Sequence, residues 1–218
     1  MIPSPVVIVL AAGRGVRFEG ASHRLAQPWG ASTVLATTLA QVSASGLPLV
    51  VVTSEALREL VRGIAPTDAV VTLPSGDGRD GAPSVGESIA AGVLARGDAP
   101  GWLVLPADMP MVQSRTLQDI ARAVGHHPVT YAQRRGLRGH PVAFSSELYS
   151  ELRTLSGDHG VRRLMARYPA NAIEVEDDGV LLDAGRIGMP PPPSLRRLPV
   201  APPPPLLRLY KAAAPPSG

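Results

Sequence analysis

The sequence predicts an α/β protein built on a mainly parallel sheet with helices on both faces. Three observations predict it. A chain of 218 residues with 44% hydrophobic and 18% charged residues can bury one sizeable core. Short apolar runs rich in Val and Leu alternate with longer stretches of helical periodicity. Four such strand–helix pairs follow one another, and parallel strands joined by helical crossovers satisfy that order.

The first strand is PVVIVLAA, residues 5–12, a nearly continuous apolar run of the kind buried on both faces of a sheet. It is too short to span a bilayer, and it lacks the basic flank of a signal peptide. A helical pattern, STVLATTLAQVSAS, occupies 32–45. PLVVVTS (48–54) precedes EALRELVRGI (55–64), and AVVTLP (69–74) precedes SVGESIAAGVLARG (84–97). GWLVLPAD (101–108) leads into SRTLQDIARAV (114–124). Further strands are expected at 128–133, 140–145 and 172–178, with helices at 145–155 and 161–169. In such sheets ligands bind at the carboxyl ends of the strands.

Charge and composition divide the chain in two. The formal net charge is +3, yet five of the 21 basic residues (Arg186, Arg196, Arg197, Arg208 and Lys211) follow Asp183, the last acidic residue. The body keeps 16 basic against 18 acidic residues, which argues against a nucleic-acid groove. From Pro190 to Gly218, 11 of 29 residues are proline, so residues 1–188 are expected to form one domain and 189–218 a disordered tail. A proline-motif ligand for a partner domain is the other reading of the tail. There is no cysteine, which removes disulfides and Cys-based zinc sites and permits the cytoplasmic location expected here.

Two stretches at strand ends carry chemistry. In VLAAGRGVR (9–17), Gly13 and Gly15 allow a sharp turn that brings backbone N–H groups close to an anion, and Arg14 and Arg17 supply charge to phosphate oxygens. Phe18 stands where a dinucleotide fingerprint has its third glycine, and there is no Gly-Lys-Ser/Thr triplet. A plain strand-to-loop turn is the alternative. In GWLVLPADMP, Asp108 follows an apolar strand and precedes Pro110, where a carboxylate suits Mg²⁺ with its water and phosphate ligands. A turn cap is the alternative for an isolated Asp.

LAAGRGVR, SVGESIAAGV, LPADMP, RGHPVAF and SGDHGVRRLM occur in that order. Together they make residues 5–183 resemble the MobA/MocA-like nucleotidyltransferases, particularly the molybdenum cofactor cytidylyltransferase branch. The resemblance implies a Rossmann-like three-layer α/β/α nucleotidyltransferase fold and Mg²⁺ dependence. It also implies transfer of a nucleoside monophosphate from an NTP, CTP favoured over GTP, to the phosphate of the pterin molybdenum cofactor, with release of pyrophosphate. A molybdoenzyme would be a further partner. By the same resemblance Leu10, Ala11, Ala12 and Gly13 would line the base and ribose, Gly15 and Arg17 would cradle the triphosphate, and Gly86 and Ser88 would form a second nucleotide-contacting segment. Asp108 matches the metal aspartate, and Arg17, Arg24 and Asp108 form the implied catalytic set. Gly139, His140 and Pro141 would border the acceptor pocket, followed by Gly157, Asp158 and Gly160. A lone histidine such as His140 equally fits a structural role.

The chain departs from the family pattern twice. Arg24 stands where the family usually has lysine, and Gly185 stands where a second aspartate tends to follow Asp183. Other phosphorylated acceptors such as a sugar phosphate remain open on the same scaffold, as does a noncatalytic nucleotide- or cofactor-binding chaperone. His126 and His127 are read as surface residues at a helix end.

Overall fold

A computed structural model describes residues 4–13, 23–74, 76, 78 and 81–185. Strand β1 (Val6–Ala11) lies in the interior of a seven-stranded sheet. Ile8 pairs in parallel with Val50 of β4 (Leu49–Ser54) on one side and with Val104 of β6 (Gly101–Pro106) on the other. Beyond β4 lies β5 (Val70–Leu73), also parallel. Beyond β6 come β8 (Leu137–Ser145), β7 (Val129–Arg134) and β9 (Ala170–Glu174), giving the order β5-β4-β1-β6-β8-β7-β9. Only β8 runs against its neighbours, as its hairpin with β7 requires. A two-stranded ribbon, β2 (Pro28–Trp29) with β3 (Ser32–Thr33), stands apart from this sheet.

The four expected strand–helix pairs are all present. They are β1 with α1 (Val34–Ala44), β4 with α2 (Arg58–Arg62), β5 with α3 (Val85–Ala95) and β6 with α4 (Ser114–Ala123). Alternation along the central strands feeds two cores. Val7, Val9, Leu103 and Leu105 join Leu35 and Leu39 of α1 and Leu117 and Ile120 of α4. Val6, Ile8, Trp102 and Val104 face Ile89 and Val93 of α3 together with Leu152 and Leu164. Gly92 lets α3 sit directly on the sheet, because a methyl carbon there would come within 2.5 Å of the Ile8 side chain.

Several boundaries differ from the sequence reading. Residues 32–33 pair as β3 before α1 begins, with the Thr33 hydroxyl accepting the Ala36 N–H as an N-cap. β8 starts at Leu137 rather than at 140, so Arg138, Gly139 and His140 lie on a strand. The 145–155 helix is shorter, a 3₁₀ turn followed by α5 (Tyr149–Leu152), while α6 spans Gly160–Arg167. β9 ends at Glu174, earlier than 178, because Asp177 is buried and hydrogen-bonded to the start of α4.

Candidate active site

The carboxyl ends of β1 and β6 are tied together. Ala107 N–H donates to the Leu10 carbonyl at 3.1 Å, and the Thr38 hydroxyl of α1 donates to the Ala107 carbonyl at 2.9 Å. Asp108 follows directly and projects from this junction. Ala184 N–H donates to the Asp108 carbonyl at 2.7 Å, which lays residues 183–185 beside it. That segment is itself positioned by Asp177, which accepts from Gln113 N (2.9 Å), the Thr116 hydroxyl (2.6 Å) and Gly179 N (2.9 Å). Sequence reasoning missed Asp177. Its only signal was a run of three acidic residues, EDD, at the end of a presumed strand.

A cavity of about 520 Å³ opens here, lined by Arg24, Asp108, Arg138, Gly139, His140 and Asp183 among others. The Arg24 guanidinium Nη1 donates to Asp108 Oδ2 at 2.8 Å, with the two side chains 17% and 23% exposed. Gly139 is glycine for a packing reason, since a methyl carbon there would approach the Val180 carbonyl oxygen to 2.4 Å. His140 joins a cis peptide bond to Pro141, and its Nδ1 is buried without a hydrogen-bond partner among the described residues. Burial holds the imidazole below its usual range, a hydrogen bond with the Val104 backbone and the Asp108 charge oppose that, and Arg138 adds to it. Arg138 stacks over the Tyr131 ring at 4.3 Å.

The glycine-loop residues divide. Leu10, Ala11, Ala12 and Gly13 lie at the end of β1, next to the Asp108 junction, while Gly15 and Arg17 lie outside the described residues. His23 ties the two described flanks of that loop. Its Nδ1 accepts from Leu25 N–H at 3.2 Å, which leaves Nε2 to donate to the Gly13 carbonyl at 3.2 Å. The sequence reading did not single out His23, because its role depends on a contact ten residues away.

Gly86, Ser88, Gly157 and Asp158 form a separate cluster at the start of α3. Ser84 and Glu87 make a capping box, and Asp158 Oδ1 accepts the Val85 N–H at 3.2 Å. Gly86 N–H donates to the Gly157 carbonyl at 3.2 Å, and a methyl carbon on Gly86 would meet the Ser156 backbone at 2.7 Å. The buried Ser88 hydroxyl donates to the Ser84 carbonyl at 2.9 Å. These four residues therefore make contacts within the chain, whereas Arg24, Asp108, Gly139 and His140 share the cavity. Pro141 is buried on β8 beside it, and Gly160 opens α6. His126 and His127 are exposed beyond α4, as expected.

Among the described residues no group of three or more His, Asp or Glu side chains is arranged to hold a metal. Asp108 and Asp183 do share the cavity, and a Mg²⁺ that retains waters and substrate phosphates needs only one or two protein carboxylates. The donor set fits such an ion in number and kind once Arg24 leaves Asp108.

A mostly parallel sheet covered by helices on both faces, with a cavity at its carboxyl edge, defines a three-layer α/β protein of Rossmann-like type. The chain belongs to the MobA-like NTP transferase domain family, whose model matches residues 7–172. Among solved structures it is similar to Rv0371c from Mycobacterium tuberculosis, at 26% identity and TM-score 0.69, over 84% of this chain and 93% of that one. A manganese complex of Rv0371c matches at 26% identity and TM-score 0.65, over 80% and 89%. The 4-diphosphocytidyl-2C-methyl-D-erythritol synthase from Anaerococcus prevotii shares the fold at 12% identity and TM-score 0.62, over 84% and 93%. No curated protein gives a significant match.

Proposed function

We propose that this chain moves a nucleoside monophosphate, CMP in preference to GMP, from an NTP to the phosphate of the pterin molybdenum cofactor and releases pyrophosphate. The reaction would run in the cytoplasm and use Mg²⁺, with the product passed to a molybdoenzyme. The observation that carries the reading is the Asp108 cavity at the carboxyl edge of a sheet whose family uses NTPs. The manganese complex of the similar Rv0371c supports the use of a divalent ion, and we assign that ion to Asp108 and Asp183 because both carboxylates line the cavity.

When bound there, the ion would neutralise phosphate oxygens. The chain's own residues account for the rest. Leu10 to Gly13 would receive the nucleoside at the end of β1, with Gly15 and Arg17 against the triphosphate. Gly86 and Ser88 would form a second nucleotide-contacting segment at the start of α3. Arg24 and Arg138 would offset the charge of the two reacting phosphates, and Gly139, His140 and Pro141 would border the acceptor; Gly157 and Asp158 would serve the acceptor from the start of α3. An acceptor phosphate is already ionised near neutral pH, so no protein nucleophile or general base is required.

The test is pyrophosphate release from each of the four NTPs with Mg²⁺, with and without the phosphorylated pterin. Acceptor-dependent release greatest with CTP is expected. The Arg24–Asp108 pair favours a second reading, a nucleotide- or cofactor-binding chaperone. Saturable NTP binding with no release under any combination would establish that reading instead. Release with a sugar phosphate but not with the pterin would move the assignment to another phosphorylated acceptor.

A further inference from the structure

The cavity contains its own cation. Arg24 Nη1 meets a single oxygen of Asp108, at 2.8 Å, and its buried Nε has no partner among the described residues. The contact is therefore one-pronged rather than the two-pronged fork that makes an Arg–carboxylate pair tight. The space for the guanidinium is nonetheless fitted. A methyl carbon at residue 185 would stand 2.7 Å from Arg24 Cζ and Nη2 and 2.8 Å from Nη1, so the group fits because residue 185 is glycine. The Ala184 N–H to Asp108 carbonyl bond keeps that glycine in place.

A divalent ion and a guanidinium cannot both sit against Asp108 Oδ2, because at contact distance in a partly buried site their repulsion exceeds what one carboxylate returns. We propose that Arg24 competes with the divalent cation for Asp108. The free chain then binds the metal weakly, and the metal enters together with a nucleotide whose phosphates give the guanidinium a replacement partner. This inference rests on Asp108 being the metal-holding carboxylate, and it assigns Arg24 the order in which metal and nucleotide bind.

The experiment is a Mn²⁺ titration of the full chain without nucleotide, followed by the paramagnetic resonance of free Mn²⁺. Arg24→Gln removes the competing charge and should tighten Mn²⁺ by roughly tenfold or more. Gly185→Ala keeps every charge but pushes the guanidinium off Asp108, so it should also tighten Mn²⁺, by less. Adding Asp108→Asn to Arg24→Gln should abolish the gain. Equal affinity in the wild type, Arg24→Gln and Gly185→Ala overturns the inference, as does a gain that survives Asp108→Asn. Circular dichroism verifies the fold of each variant. If Arg24→Gln does not fold, Gly185→Ala decides the matter alone. A chain that shows this competition but releases no pyrophosphate keeps the inference and loses the transferase reading; release without competition does the reverse.

Discussion

Asp108 and His140 occupy one cavity but respond to different variables. Asp108→Asn preserves size and removes the charge that a divalent ion needs, so pyrophosphate release should fall roughly a hundredfold or more while the melting temperature changes little. An unchanged release rate would remove Asp108 from the chemistry. His140 reports on pH instead. Its pKa is lowered on folding, chiefly by burial, so below the unfolded value of about 6.5 the unfolded chain binds the proton more readily. Stability should therefore be highest above that pH and decline as pH falls from there towards the folded pKa, flattening below it. Asp108 and Asp183 face the ring and limit the decline, while Arg138 deepens it. His140→Asn should flatten the melting temperature between pH 7.5 and 5. A variant with the same pH slope as the wild type would show that another group carries it.

At the scale of elements, the start of α3 separates holding from binding. Ser84→Ala removes the capping box and should cost about 1 kcal/mol, or roughly 2–4 °C in melting temperature for a chain of this size. Asp158→Ala removes the second cap, on Val85, and should lower the melting temperature likewise. If Asp158 instead serves the acceptor, its substitution will raise the acceptor KM with the melting temperature unmoved. The strands of the main sheet and the longer helices were legible because each repeats an apolar period, whereas the short β2–β3 ribbon has none: Val6 to Val9 and Leu103 to Leu105 announce buried strands, and Leu117 with Ile120 announces one face of α4. Asp108 was legible too, since it follows such a strand directly. The Arg24–Asp108 pair and the Asp177 hydrogen bonds were not, because they join residues 84, 64 and 61 positions apart and no local period records them. The same holds for Gly139, whose need to be glycine comes from the Val180 carbonyl and not from a turn.

For the whole molecule, the question is where the folding unit ends. The family model matches residues 7–172, and among the described residues the last one packed against either core is Ala184. The segment 177–185 still belongs to the unit, because Asp177 fastens it to α4 and Ala184 fastens it to Asp108. Beyond it the composition changes: residues 190–218 are rich in proline and contain no acid to pair with their arginines. From this composition alone we propose that residues 189–218 add little to the stability of the domain. Truncation after Gly188 should therefore change stability by less than about 0.5 kcal/mol and leave the dissociation constant for Mg²⁺–CTP unaltered. Truncation after Asp177 should behave differently, since it removes the Ala184 contact, the glycine that accommodates Arg24 and the Val180 backbone against Gly139. That shorter chain should melt well below the first and lose its nucleotide affinity. Equal melting temperatures for the two truncations would place the end of the folding unit before residue 178. A large loss on removing residues 189–218 alone would show that the proline-rich segment docks on the body and belongs to the domain.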